Sequence, residues 1–264
     1  MELKLDFLTE ISAIFNRWMR KLVRRPTNLT FSMIQPLIWF LLFTQAFQAV
    51  ASIPGFERIT GTGSYLTFFS AAVIVQTVLT SALQSGLGMV DDVESGYLDK
   101  MRTTPVRRSS ILMGKVFSDG FRIVMQVSII IALGYILGVQ VTAGLPGIAM
   151  ILIMVMFFGI AWSGISTFVA LTTRNSESTL VISIMFVFPM LFLSTAVMPM
   201  EFLAPWVQTF SMYNPVSYVA DAVRGMIIHG FDWTLIGQAF LAIAIVGTIT
   251  LSATTMMFRR ALSK

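Results

Sequence analysis

The sequence contains no cysteine and a single histidine, His229. No disulfide framework, thiolate metal site or cysteine nucleophile can be built from it, and no paired-histidine motif exists; no metal site is expected. Charge is scarce as well. Lys, Arg, Asp and Glu make up 12% of the 264 residues, against roughly 25% in a soluble domain. Apolar residues make up 56%, and the mean hydropathy is +0.80. These values exclude a disordered chain, a coiled coil and an ordinary soluble domain. The net charge of +5 would suit a nucleic-acid binder only if the cations formed one basic surface. They do not, as their positions along the chain show.

A membrane-spanning helix needs about 20 mostly apolar residues. Charge-free runs supply the candidates. Residues 26–56 and 59–90 carry no charge, and their most apolar parts predict spans over about 29–50 and 65–88. Residues 123–173 form one uncharged run of 51 residues; as a single helix it would be roughly 76 Å long, far more than a hydrocarbon core. It must fold back, and the Gly- and Pro-containing stretch Gly138–Gly147 marks the turn. Spans over about 116–137 and 145–171 follow, then 178–199 and 235–258. Another uncharged run, 202–220, holds Pro205, Asn214 and Pro215, which break a continuous helix. Segment 201–232 is therefore read as short broken or re-entrant helices on the outer side. The expectation is an all-α membrane protein, one transmembrane domain over 1–264, with six spans.

An even number of spans leaves both termini on one side. Fifteen of the 18 Lys and Arg residues then fall on that side: six in the first 28 residues, five between spans 2 and 3, Arg174, and three at the C-terminus. The positive-inside rule makes this face cytoplasmic, as for a multi-pass protein of the cytoplasmic membrane. The basic charge is thus a topology signal, and nucleic acid is not an expected partner. Ala49-Val-Ala51 looks like a signal-peptide cleavage site, but the basic region and apolar run before it are long for a signal peptide, and an uncleaved span is expected. Within residues 1–25, Leu8, Ile11, Phe15, Trp18 and Leu22 recur at spacings of three and four, opposite Arg17, Arg20, Lys21 and Arg24. That pattern predicts an interfacial amphipathic helix whose cations meet anionic lipid, ended at Arg25-Pro26.

The cytoplasmic segment 89–115 is the chemically richest. On a short helix, Val93, Tyr97, Leu98 and Met101 would share an apolar face, leaving Asp92, Asp99 and Arg102 polar. Glu94-x-Gly96-x-Leu98, then Thr104-Pro105-Val106-x-Arg108 and Lys115, resemble the first cytoplasmic loop of ABC-2 type transporter permeases. Asn214-Pro215-x-x-Tyr218-x-x-Asp221-x-x-Arg224 resembles that family's segment before the last span, and Leu193–Glu201 with Pro205-Trp206 its fifth-span exit. The resemblance covers essentially the whole chain and is nearest to drug- and lipo-oligosaccharide-exporter-like members.

The resemblance implies a transmembrane subunit that forms the translocation path as a dimer, coupled to two separate cytoplasmic P-loop ATPases that bind ATP and Mg. Asp92, Glu94, Gly96, Tyr97, Leu98, Met101, Thr104, Pro105 and Arg108 would form the ATPase-coupling loop. Arg174, Asn175 and Ser176 would form a second cytoplasmic contact. Asn214, Pro215, Tyr218, Asp221 and Arg224 would serve an outer gate or hold the outer structure. The chain has no GxxxxGK[ST] motif, which fits an ATPase on another chain and a subunit that is no enzyme itself. Amphipathic or hydrophobic solutes, such as a drug, lipid or lipid-linked saccharide, are the expected cargo. A secondary transporter or channel working without an ATPase is the alternative. The near absence of charge within the spans weighs against it; Asp119 and Arg122, three apart, are read as an ion pair or a gate element.

Overall fold

A computed structural model describes residues 6–24, 26–97, 100 and 106–261, with side chains at 26–29, 31, 108 and 259–261 left aside. The described residues are helical, with no strand. In chain order the helices are α1 (Phe7–Arg24), α2 (Pro26–Ala46), α3 (Phe56–Thr60), α4 (Tyr65–Glu94), α5 (Arg108–Ile136), α6 (Gly144–Thr173), α7 (Ser176–Phe192), α8 (Pro205–Ser211), α9 (Pro215–Ile228) and α10 (Trp233–Ala261). Four segments are long and apolar enough to cross a membrane: Tyr65–Glu94, Ser109–Ile136, Gly144–Thr173 and Trp233–Phe258. Two shorter apolar helices, Ser32–Ala46 and Ser176–Phe192, accompany them.

Helix α4 is the hub. It packs on α2, α5, α6, α7 and α9, and its apolar stretch is the most enclosed, whereas that of α10 is the least. Small residues let the central helices approach. A Cβ on Gly86 of α4 would sit 2.5 Å from the Ser166 carbonyl oxygen of α6, and the Ser166 hydroxyl donates to the Ala82 carbonyl at 2.5 Å. Helix α10 meets α6 in the same way: Thr250 and Thr254 donate to the carbonyls of Ala161 and Gly164 at 2.6 and 2.7 Å. With no hydrophobic driving force between helices in lipid, such small-residue contacts and interhelical hydrogen bonds hold the bundle.

Several element ends differ from the sequence-based expectations. Helix α4 runs past residue 88 to Glu94, and α5 starts at Arg108, so the connection between them is shorter than 89–115. Helix α7 stops at Phe192 rather than 199. Its 17 residues span about 26 Å, and residues 193–199 form turns instead. Pro189 lies in its last turn, where its missing N–H costs the helix one hydrogen bond. The connection at 138–147 turns through Gly138 and Gly144, both with positive φ (96° and 62°). Residues 201–232 fold as one 3₁₀ turn plus α8 and α9, a broken pair of the kind the prolines predict.

Candidate functional site

Two polar assemblies stand out at opposite ends of the bundle. At the α1 end, Arg17 grips Asp92 with both arms of its guanidinium, Nη1 to Oδ2 at 2.9 Å and Nη2 to Oδ1 at 2.8 Å. Lys21 approaches Asp92 and Asp91 at 3.5 and 3.6 Å. The Arg17 guanidinium also lies 3.3 Å from the Tyr97 ring centroid, and Arg17 and Lys21 flank Trp18. These contacts neutralise the acidic end of α4, and two-point pairing of this sort fixes geometry as well as charge. The cations of α1 are therefore divided. Arg17 and Lys21 turn to the protein, correcting the expectation that all four meet lipid, while Arg20 and Arg24 remain exposed.

Helix α1 is further pinned to α5. Glu10, buried, accepts from the Ser110 hydroxyl at 2.5 Å and the Arg107 N–H at 3.2 Å. Ile14 fills the space that Gly114 leaves, where a Cβ would come within 2.7 Å. Ile14, Met89, Val90, Ile111, Ala170, Leu171 and Phe258 close a small second core beneath α1. The inward face of α1 is thus Glu10, Ile14, Arg17 and Lys21, a stripe that a reading for lipid contact passes over.

Of the expected coupling residues, Asp92 is buried in this clamp and is structural in form. Glu94 is exposed at the last turn of α4. Gly96 takes φ +66° and ends the helix with open space around it. The Lys100 N–H donates to the Gly96 carbonyl at 3.2 Å. Leu98, Met101, Thr104 and Pro105 lie outside the described residues, as does the side chain of Arg108. At the turn between α6 and α7, expected as a second contact, Arg174 ends α6 in the left-handed conformation at φ 50° and is exposed. Asn175 caps α7 by accepting from the Ser178 N–H at 2.8 Å, and Ser176 is the first residue of α7. These residues make a tight, capped corner.

Just inside this end, Asp119 of α5 receives Lys115 Nζ at 2.8 Å and Arg122 Nη2 at 3.2 Å, and the Ser85 hydroxyl of α4 at 2.5 Å. Lys115 also donates to Ser85 at 2.6 Å. Lys115, expected in the loop, is instead fully inside the bundle, because Asp119 one turn on neutralises it. The i,i+4 spacing from Lys115 to Asp119 is a signal the sequence carries for this cluster, although only the Asp119–Arg122 pair was read from it. Arg122 reaches across to α4, donating to the Ser81 hydroxyl and carbonyl at 3.2 and 2.7 Å.

At the opposite end, α9 ties down the turn that follows α7. Arg224 bonds Asp221 Oδ1 at 2.8 Å and the carbonyls of Thr195 and Ala196 at 2.9 and 2.7 Å. The Thr195 hydroxyl donates to the same Asp221 oxygen at 2.8 Å. Phe68 of α4 lies under the Arg224 guanidinium at 4.0 Å. Asn214 caps α9 through the Val216 N–H at 2.9 Å, and its amide donates to the carbonyls of Met190 and Leu193 at 2.7 and 2.8 Å. Pro215 occupies the first helical position, where its missing N–H is harmless. The Tyr218 hydroxyl donates to the Met212 carbonyl at 2.6 Å. Asp221 and Arg224 thus meet in one cluster, joined by Thr195, which was not singled out as a site residue, while Asn214, Pro215 and Tyr218 fix the start of α9 beside it.

Comparison with known proteins agrees with this architecture. The profile of the ABC-2 type transporter family matches residues 9–228. A putative transport permease, ycf38, of Cyanophora paradoxa is 31% identical over 247 residues, covering 90% of this chain and 82% of its own. The daunorubicin resistance ABC transporter permease protein DrrB1 of Streptomyces coeruleorubidus is 28% identical, covering 78% of this chain and 70% of its own. A probable multidrug ABC transporter permease, YbhR, of Escherichia coli K12 is 22% identical over 70% of this chain and half of its own. The family match spans most of the helical bundle, from α1 through α9, and so the chain belongs to the ABC-2 type transporter family.

Proposed function

We propose that this chain is the membrane permease of an ATP-driven exporter, that two copies form the translocation path, and that separate P-loop ATPases drive them. Drug-resistance permeases among its relatives support an exporter of amphipathic or hydrophobic solutes. The observation that carries the coupling part of the proposal is the clamp of Arg17 and Tyr97 around Asp92. It makes α1 and the end of α4 one rigid unit, with Glu94 exposed beside it. A push on the 94–108 connection then moves α4, and α4 touches α2, α5, α6, α7 and α9. Nucleotide state in the ATPases would bias two arrangements of this bundle. Both termini are proposed to face the cytoplasm.

The test is to co-express the chain with a P-loop ATPase encoded beside its gene, if there is one, or otherwise with one that co-purifies with it, and to reconstitute the complex in proteoliposomes. Glu94→Ala should lower ATP hydrolysis or co-purification at least severalfold. Unchanged hydrolysis and unchanged assembly would refute the coupling assignment. A reporter fused to the C-terminus and found outside the cell would refute the topology.

A further inference from the structure

The end of the bundle away from α1 exposes large side chains on and just after α8: Trp206 (61%), Phe210 (59%), Met212 (55%) and Tyr213 (83%). Trp206 and Phe210 lie four apart on one face, their rings edge to face at 6.4 Å. Val207 and Ser211, on the other face, are buried. No charged residue occurs between Glu201 and Asp221. The polar side chains of α8 are spent within the segment. Gln208 Nε2 donates to the Leu203 carbonyl at 2.9 Å, the Thr209 hydroxyl to the Pro205 carbonyl at 3.2 Å, and the Ser211 hydroxyl to the Gln208 carbonyl at 2.9 Å. Such internal satisfaction suits a poorly hydrated surrounding. The Trp206 indole N–H and the Tyr213 hydroxyl bond nothing among the described residues. Amphipathic rings of this kind gather where hydrocarbon meets headgroup.

Helix lengths set the depth of this face. Helices α6 and α7 share the corner at residues 174–176, where Arg174 and Glu177 are exposed and charged and so stay at the headgroup layer. From this corner α6, with 30 residues, rises about 45 Å to Gly144, whereas α7, with 17 residues, rises only about 26 Å to Phe192. The Thr142 and Ala143 N–H groups donate to the Ile227 and Met226 carbonyls at 2.9 and 3.1 Å, which sets the end of α9 level with the start of α6. Asn214 bonds the Met190 and Leu193 carbonyls, which sets the start of α9 level with the end of α7. The 14 residues of α9 cover about 21 Å, close to the difference of about 19 Å between α6 and α7. The α8 face therefore lies about 26 Å from the charged corner, near the far boundary of a hydrocarbon core of about 30 Å. The tips of α6 and α9 reach the outer edge of a bilayer of about 40–45 Å.

We propose that Trp206, Phe210 and Tyr213 insert at the boundary between hydrocarbon and headgroups in the leaflet away from α1, so that α8 is an interfacial lipid anchor. Through Asn214 the anchor fixes the depth at which α7 ends. This placement requires only that the bundle spans a bilayer, whatever drives transport.

The chain holds five tryptophans and no cysteine, which allows two independent measurements on the full-length protein in vesicles of phosphatidylcholine and phosphatidylglycerol. In the first, Trp18, Trp39, Trp162 and Trp233 are each replaced by Phe, leaving Trp206 as the one indole. A lipid carrying a nitroxide near its headgroup should quench Trp206 at least about twofold more than a lipid carrying it near the chain end, and more than iodide supplied on both sides. In the second, Phe210→Cys and Glu201→Cys are spin-labelled one at a time. The label at 210 should collide more with dissolved oxygen than with a water-soluble nickel complex, and the label at 201 the reverse. A melting curve checks folding, and the labelled pair decides the matter if the fourfold tryptophan variant is not folded. Dominant quenching by iodide, or a label at 210 that prefers nickel, would place the face in water and overturn the anchor. Strongest quenching from the chain end would overturn the depth. A face closed to lipid, oxygen and nickel alike would mean that a second copy covers it, which also overturns the anchor.

Discussion

Arg17 and Asp92, 75 residues apart, meet through two parallel hydrogen bonds of 2.8 and 2.9 Å that join the amphipathic helix to the end of the central helix. Asp92 is 4% exposed, and this partner supplies its two shortest hydrogen bonds. Arg17→Ala leaves a buried carboxylate with only the longer Lys21 contact, and should lower stability by about 1–3 kcal/mol. Arg17→Lys should cost less, since a point charge remains, but it loses the two-point geometry and the guanidinium face over Tyr97. Thermal melting of the purified variants checks the order wild type, Lys, Ala.

Two glycines should respond oppositely to the same added methyl. A Cβ at Gly86 would meet the backbone carbonyl of Ser166 at 2.5 Å, and that backbone belongs to the packed helix α6. Gly86→Ala should therefore cost about 1–3 kcal/mol by forcing α4 and α6 apart. Gly237, in α10, has nothing within 4 Å of such a Cβ. Gly237→Ala should leave stability unchanged or raise it by up to about 1 kcal/mol through helix propensity. Melting temperatures of the pair decide the prediction.

At the opposite end, Arg224 should matter more than its ion partner. Arg224→Met leaves the carbonyls of Thr195 and Ala196 without a donor and removes the charge beside Asp221; a loss of about 3–5 kcal/mol is expected. Asp221→Asn keeps an acceptor for the Thr195 hydroxyl and should cost clearly less. Limited proteolysis in the 193–204 segment should speed up in Arg224→Met and stay near wild type in Asp221→Asn.

Asn214 has three hydrogen bonds to lose. It accepts from the Val216 N–H and donates to the Met190 and Leu193 carbonyls. Asn214→Asp keeps the cap but replaces both donors with a carboxylate facing two carbonyl oxygens. It should be at least as destabilising as Asn214→Ala, unlike at an exposed cap, where Asp and Asn are interchangeable. Parallel melting curves of the two variants test this.

The helical scaffold was readable because uncharged runs of spanning length are hard to explain otherwise, and Gly138 and Gly144 marked the fold-back. Helix ends were not readable from charge. Counting stopped the second span before Asp91, yet α4 continues because Arg17 and Lys21 neutralise its acidic end from far along the chain. Helix α7, the fifth expected span, stops early because Asn214 collects its final carbonyls, again a distant residue. The pairs at i,i+3 were legible and close as expected, Asp221–Arg224 at 2.8 Å and Asp119–Arg122 at 3.2 Å. Lys115 escaped because a cation beside a loop reads as solvated. The sites of Leu98, Met101, Thr104 and Pro105 stay with the family resemblance, being outside the described residues.

The central claim is that the connection after α4 carries the ATPase's motion into the bundle, and Gly96 offers the sharpest measurement. Its φ of +66° is closed to proline, while the open space around it leaves packing untouched. The measurement is ATP hydrolysis by the reconstituted permease–ATPase complex carrying Gly96→Pro, beside the melting temperature of the permease alone. The account predicts at most a modest fall in melting temperature, from the lost Gly96 N–H bond to the Val93 carbonyl at 3.1 Å, with hydrolysis or co-purification reduced at least severalfold. Full hydrolysis and full assembly in a normally folded Gly96→Pro permease would contradict it.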